Sequence, residues 1–235
     1  MAEAAAGRRF LIASMGYDFD FTAISNNAGL LLHGAGLTLL LAAIAATIGV
    51  ALSIGGAATI LWGHRWARRA VQTYVEVIRN TPFIVQLFFI FFGLPSLGVR
   101  IPAVTAAALA MTINLTAYGI EIVRAGIGSV SPGQREAGLS LGISPVLVFI
   151  FVVLPQAIAT VYPALVSQIV ITMLESAVVS QIAVSDLTHA ADLIQSRTYR
   201  AFETYFVVAV MYLAMALTLR WALNRAGRQL FAGKA

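Results

Sequence analysis

Apolar residues in this chain gather in long unbroken runs, not in the narrow stripes of a soluble amphipathic helix, and short polar or glycine- and proline-bearing segments divide the runs. Five runs account for most of the length, covering about 30–62, 71–94, 103–123, 146–174 and 202–223. The first exceeds the ~20 residues that cross a bilayer, which implies tilt or an interfacial start. The second contains Pro82. The fourth contains Pro155 and Pro163, so its first turns are expected to form a separate helix at the membrane surface. Between the fourth and fifth runs, 176–200 is too polar to face lipid. The pattern predicts an all-α integral membrane protein of five spans, preceded by a tail at 1–27 with an interfacial segment (Tyr17, Phe19, Phe21) and followed by a short tail at 226–235.

Composition agrees. Of 235 residues, 60% are hydrophobic and 11% charged, where a soluble domain carries about 25% charged residues. The net charge of +5 is not a sign of nucleic acid, because arginines gather on the cytoplasmic side of membrane proteins for topological reasons. Arg65, Arg68, Arg69, Arg124, Arg135, Arg225, Arg228 and Lys234 fall on one side of the bundle, and Arg8, Arg9, Arg100, Arg197 and Arg200 on the other. That bias predicts the N-terminus outside and the C-terminus in the cytoplasm. With no cysteine and three scattered histidines, no metal site is expected.

One connection on the inner side is unusually well punctuated. Across 131–145, Ser131 can cap a helix, Pro132 suits its first position, and Gln134 completes a capping box. Gly142 can end that helix in a left-handed conformation, and Ser144-Pro145 repeats the start signal. Ala137 and Gly138 leave a flat face open to close approach, and Glu136 is expected in the first turn, where the helix dipole favours a carboxylate. The chain carries no nucleotide engine of its own, since a phosphate-binding loop needs a lysine after its glycines and the only lysine is Lys234 in the tail. Gly34-x-Gly36 and Gly55-Gly56 are expected to serve close helix packing instead.

These residues carry a resemblance. Glu136-Ala137-Gly138, then Gly142, then Leu154-Pro155 resembles the cytoplasmic EAA loop of ATP-binding-cassette importer permeases. Arg79-Asn80-Thr81-Pro82 with Gln86, Tyr118 to Ile127 with Pro132-Gly133-Gln134, and 196–203 resemble the second, third and last helices of the polar amino acid permeases. The resemblance spans about 25–225. It implies a type I importer transmembrane domain with cytoplasmic coupling helices, working in the bacterial inner membrane beside a second permease subunit, identical or homologous. A cytoplasmic ATPase dimer holding ATP and magnesium, and an extracytoplasmic substrate-binding protein, complete the assembly it implies. Residues 131–145, with Arg135, Glu136, Ala137, Gly138 and Gly142, would be the element that the ATPase grips. Two places depart from the family pattern: Asn80 stands for a frequent glycine, and Leu174-Glu175-Ser176 stands where Lys-Asp-Thr is frequent.

Charged groups within spans face the protein interior or water, because exposure to lipid at mid-bilayer costs about 2.5–3.5 kcal/mol on insertion scales. Glu76 with Arg79 and Glu121 with Arg124 are each three apart on a helix and are expected to form structural pairs. Glu175 has no basic residue within a turn and leaves two readings open: a water-lined site for a substrate ammonium, or a hydrogen-bonded structural carboxylate. Asn114, Thr116, Tyr118 and Gln86 supply polar groups near mid-membrane, for interhelical hydrogen bonds or for a substrate path. An ion-coupled secondary transporter would show internal repeats and paired broken helices, and a scaffold would leave the motifs unexplained. Within the importer reading, an opine, a sulfur amino acid or a compatible solute is the alternative cargo to a polar amino acid.

Overall fold

The computed structural model describes residues 18–231, so Tyr17 and residues 232–235 lie outside the described residues. The elements are α1 (Thr22–Asn26), α2 (Ala28–Trp62), α3 (Arg65–Arg79), α4 (Phe83–Phe88), α5 (Ala103–Ser129), α6 (Pro132–Ser140), α7 (Pro145–Val148), α8 (Leu154–Glu175), α9 (Leu187–Thr198) and α10 (Ala201–Phe231). A π-helical turn, Phe89–Gly93, and a last helical turn, Leu94–Ser96, continue α4. A second π turn, Phe149–Val153, joins α7 to α8, and a 3-10 helix, Ser176–Ile182, extends α8. Four helical stretches are long and apolar enough to cross a membrane, and five when α3 and the α4 stretch count as one bent span.

The expected second span is not one helix. It turns by 111° between Arg79 and Phe83. Pro82 has no N–H to continue the ladder and disfavours a helical Thr81. The side chains around it hold the corner: Asn80 Nδ2 donates to the Glu76 carbonyl at 2.8 Å and Thr81 Oγ1 to that of Val77 at 2.9 Å. Gln86 Nε2 donates to the Ile78 carbonyl at 2.8 Å and to the Thr81 carbonyl at 3.0 Å. The Arg-Asn-Thr-Pro…Gln spacing is therefore the chemistry of a stitched turn inside the membrane.

The fourth run also differs from expectation, in the opposite sense. No separate surface helix forms, and Pro145 to Ile182 runs as one span. Pro155 is accommodated by the π turn just before it, as Pro95 is by Phe89–Gly93. In each case the proline two residues on cannot close the ordinary ladder, and the widened turn absorbs the mismatch.

The bundle is arranged around α5. Of its spanning window 61% is buried, against 33% for α2 and 6% for α10. The core joins Leu41 and Ala45 of α2, Leu87 of α4, Met111 and Leu115 of α5 and Val179 of the 3-10 helix. Gly34 lets the start of α9 approach α2, since a Cβ there would lie 2.6 Å from the Asp186 carbonyl oxygen. Gly36 and Gly55, by contrast, face open space, so only one glycine of each expected pair is a packing residue. The last helix runs on through residue 225 to Phe231.

At the far end from α6, Asp186 caps α9, accepting from the His189 N–H at 2.9 Å and from the Tyr212 hydroxyl at 3.3 Å. Glu203, fully buried near the start of α10, accepts from Arg200 Nη1 at 3.4 Å and from the Asp20 N–H at 3.1 Å. Together these carboxylates tie the leading segment and α9 to the last span.

Candidate functional site

Two regions gather the chemistry. The first is the elbow formed by α6 and α7. Pro132 opens α6, but Ser131 makes no side-chain cap; only its carbonyl receives the Gln134 N–H, at 3.1 Å, so the expected capping box is not formed. The C-terminus is closed fully. Gly142 has φ +76°, its N–H donates to the Leu139 carbonyl at 3.0 Å, and the Ile143 N–H reaches back to the Gly138 carbonyl at 3.3 Å. This is a Schellman closure, which requires a left-handed residue where Gly142 stands. Ser144 Oγ then accepts from the Leu147 N–H at 3.5 Å and starts α7.

Gly138 fixes how α6 lies on the bundle: it is buried, and a Cβ there would lie 2.9 Å from Val148 Cγ2. Arg135, Glu136 and Ala137 all stay exposed. Because α6 begins at Pro132, Glu136 is its fifth residue and no acidic residue occupies the first turn. The dipole argument for Glu136 fails, since that stabilisation falls off within one turn. Among the described residues neither Arg135 nor Glu136 is ion-paired. What α6 presents is a small flat surface with one free positive and one free negative side chain.

The second region is a polar cavity of about 520 Å³ between α3 and α5. Gln72, Glu76, Arg79 and Asn80 line it from the α3 side, and Tyr118, Glu121 and Arg124 from α5. The expected Glu76–Arg79 pair does not form. Arg79 stands at the last residue of α3, where the chain turns away, and its guanidinium reaches across to α5. There it lies 4.0 Å from Glu121 Oε2 and 5.5 Å from the centre of the Tyr118 ring. Glu121 is meanwhile held by Arg124 in a two-point contact, at 2.6 Å from Nη2 and 3.2 Å from Nε. One carboxylate thus serves two guanidinia, and Glu76 has no ion-pair partner among the described residues.

The remaining mid-membrane polar residues lie outside the lining of this cavity. Asn114 Nδ2 donates to Gln86 Oε1 at 3.1 Å, joining α5 to the stitched corner, while Asn114 Oδ1 is buried without a partner. Thr116 Oγ1 donates to the Thr112 carbonyl at 2.7 Å and faces the Gly49 carbonyl of α2 at 3.5 Å. Tyr74, which drew no attention in the sequence, donates its hydroxyl to the Ile113 carbonyl at 2.6 Å and fixes the crossing of α3 on α5. Glu175 is not part of the cavity; it ends α8, and its Oε2 is buried without a hydrogen-bond partner. Ser185-Asp186 ahead of an apolar turn is a readable cap signal for Asp186, and Glu203 closes the 196–203 stretch at the entry to the last helix, although its full burial is not written in that motif.

Residues 49–230 match the family model described as binding-protein-dependent transport system inner membrane component. The chain belongs to that family. It is therefore a multi-pass inner-membrane subunit of an ATP-binding-cassette transporter. It is 35% identical over 214 residues to the glutamine transport system permease protein GlnP of Escherichia coli K12, covering 90% of this chain and 98% of that protein. Identity to the arginine transport system permease protein ArtQ of Bacillus subtilis is 32% over 203 residues, covering 86% of this chain and 93% of that one. A solved amino acid ABC transporter with histidines superposes with a TM-score of 0.82 at 41% identity, over 91% of this chain and 100% of that chain. The inward-facing MetNI methionine transporter superposes at 0.72 with 20% identity, over 86% of this chain and 97% of that one, which extends the likeness of fold alone. The five-span bundle with its elbow is the transmembrane fold of a type I importer.

Proposed function

We propose that this chain is the permease subunit through which a polar amino acid is imported across the cytoplasmic membrane, with ATP and magnesium bound and hydrolysed on a partner ATPase dimer. The observation that carries the cargo assignment is the composition of the cavity between α3 and α5. With Arg124 and Glu121 holding each other, it offers Arg79, which lies 4.0 Å from that shared carboxylate, to a substrate carboxylate and Glu76, unpaired among the described residues, to an ammonium, on a framework neutral overall, which is the complement of a zwitterion. The names of the relatives, glutamine and arginine permeases among them, support the same class.

The N-terminus then lies outside and α6 faces the cytoplasm, where closure of the ATPase dimer pushes the elbow and moves the bundle as a rigid body. Glu136 pairs with a basic residue on the ATPase, and Gly138 keeps the lever seated on Val148. A second permease subunit covers the other side of the pathway, and an extracytoplasmic binding protein delivers the cargo.

Reconstitution in proteoliposomes with the cognate ATPase and binding protein tests this. Uptake of a labelled polar amino acid should require internal ATP and survive a protonophore. Uptake that collapses with the proton gradient, or proceeds with no ATPase subunit, refutes the mechanism. Uptake restricted to solutes lacking the amino acid zwitterion refutes the cargo. Within the working system, Glu76→Gln should shift preference from cationic toward neutral amino acids.

A further inference from the structure

A second cavity, of about 430 Å³, lies between the end of α2 and the elbow. Its walls are chiefly apolar, from Thr59, Trp62, Leu139, Val146 and Phe149, with the single charged side chain of Arg135 among them. The rings of Trp62 and Phe149 meet edge-on with centroids 4.7 Å apart.

Three observations say what fills it. First, the groove continues the lipid-facing surface. Leu40, Ile48, Leu52 and Trp62 are exposed and fall on one face of α2, and Val146 is exposed on the opposite wall. Second, the chain just past the groove-lining Trp62 and Gly63 is rich in arginine, and the carboxylate of the adjoining cavity, Glu136, pairs with none of these arginines among the described residues. Arg68 folds back over the end of α2, its Nη2 donating to the Leu61 carbonyl at 3.2 Å, and Arg65 and Arg69 lie 5.2 and 5.6 Å from the Trp66 ring centre. Among the described residues none of these arginines, nor Arg135, is ion-paired to a carboxylate. Third, Trp62 and Trp66 are exposed beside those arginines, the position tryptophan takes at headgroup depth.

We infer that this groove binds one anionic phospholipid from the leaflet on the elbow's side of the membrane. The phosphate is held by the guanidinia of Arg135 and Arg68, and an acyl chain lies along Thr59, Trp62 and Phe149. A guanidinium matches a phosphate through paired N–H donors, and an apolar groove open to the bilayer is filled by hydrocarbon. The bound lipid joins the elbow to α2 through Arg135 and Leu139, so the lever rests partly on a lipid. This goes beyond the transport assignment and holds whatever the cargo.

Native mass spectrometry of the full chain, released from detergent, tests it with phosphatidylglycerol and phosphatidylcholine of identical acyl chains at equal concentration. The wild type should retain phosphatidylglycerol in preference. Arg68→Gln and Arg135→Gln should each reduce that preference about fivefold, without changing phosphatidylcholine retention. Thr59→Trp, or the milder Ala58→Leu, should fill the groove and reduce retention of both lipids, with an unchanged far-UV circular dichroism spectrum. Equal retention of the two lipids by the wild type overturns the proposal, as does a preference that survives the Arg68→Gln/Arg135→Gln double variant. Groove-filling variants that keep lipid but lose capture of the ATPase subunit also overturn it, by assigning the groove to protein.

Discussion

The elbow at 131–145 and the cavity between α3 and α5 divide the proposed activity between them, one receiving force and the other receiving cargo, and they are built in opposite ways. The elbow rests on rules that act within a few residues: Pro132 at the first helical position, the left-handed Gly142, and Ser144 capping the next helix. The cavity has no such local logic. Arg79 meets Glu121 across 42 positions of sequence (121 − 79), and it does so only because the corner at Pro82 swings α3 onto α5. A lever must keep its shape while it moves, and short-range hydrogen bonds give it that. A binding site that opens and closes is better assembled from separate helices, whose relative position can change.

The difference can be tested from both sides. The largest effect is expected at the elbow: Gly142→Val forces a branched residue into left-handed backbone, and ATP-driven uptake should fall about 100-fold or more while the residual uptake keeps its substrate ranking. Proteoliposome uptake with a panel of amino acids reads both, and an altered ranking would mean that elbow and cavity are not separate. Arg79→Ala should do the reverse, raising the half-saturating concentration at least about tenfold while leaving basal ATPase stimulation by the permease unchanged. A loss of stimulation equal to the loss of uptake would place Arg79 in the lever instead.

Smaller effects probe the corner and the opposite face. Gln86→Leu removes the donor that stitches Ile78 and Thr81. With a buried hydrogen-bonding group lost at about 1–3 kcal/mol, thermal unfolding in detergent should begin a few degrees lower. Uptake should weaken through affinity, as for Arg79→Ala. Asp186 gives the mildest test. Burial raises its carboxyl from 3.8 to about 6, against the opposing hydrogen bonds from His189, Thr188 and Tyr212. The folded protein then holds more protons than the unfolded chain between those values, so this group's contribution to stability is full below pH ~4 and is lost as pH rises through about 6. A melting series across that range should show the fall, and Asp186→Asn, which can still cap α9, should flatten it.

Legibility in the sequence followed the same division. The five runs, the proline-opened α6 and its glycine stop could be read because each is written in adjacent residues. The capping box was over-read: Ser131 and Gln134 have the right spacing, but only the Ser131 carbonyl is used. The Glu76–Arg79 pairing failed for a physical reason, since helical spacing makes a pair available without making it the best one, and Tyr118 with Glu121 offers Arg79 a ring face and a carboxylate together. The bend at Pro82 and the straight course through Pro155 could not be told apart by counting prolines. What distinguishes them is context: Asn80, Thr81 and Gln86 supply donors for a corner, whereas Phe-Ile-Phe-x-x-Leu-Pro, found at 89–95 and again at 149–155, marks a helix that widens and continues.

That widened turn beside the elbow sets the angular register of the whole force-receiving end. Each residue in a helix advances the chain by roughly 100° about its axis, so the extra residue held at Phe149–Val153 sets where α7 and Val148, the seat of Gly138, lie around that axis. Shortening it by one would aim the flat face at the wrong quadrant while leaving every side chain of the elbow intact, and a perfectly formed handle would meet nothing to grasp it.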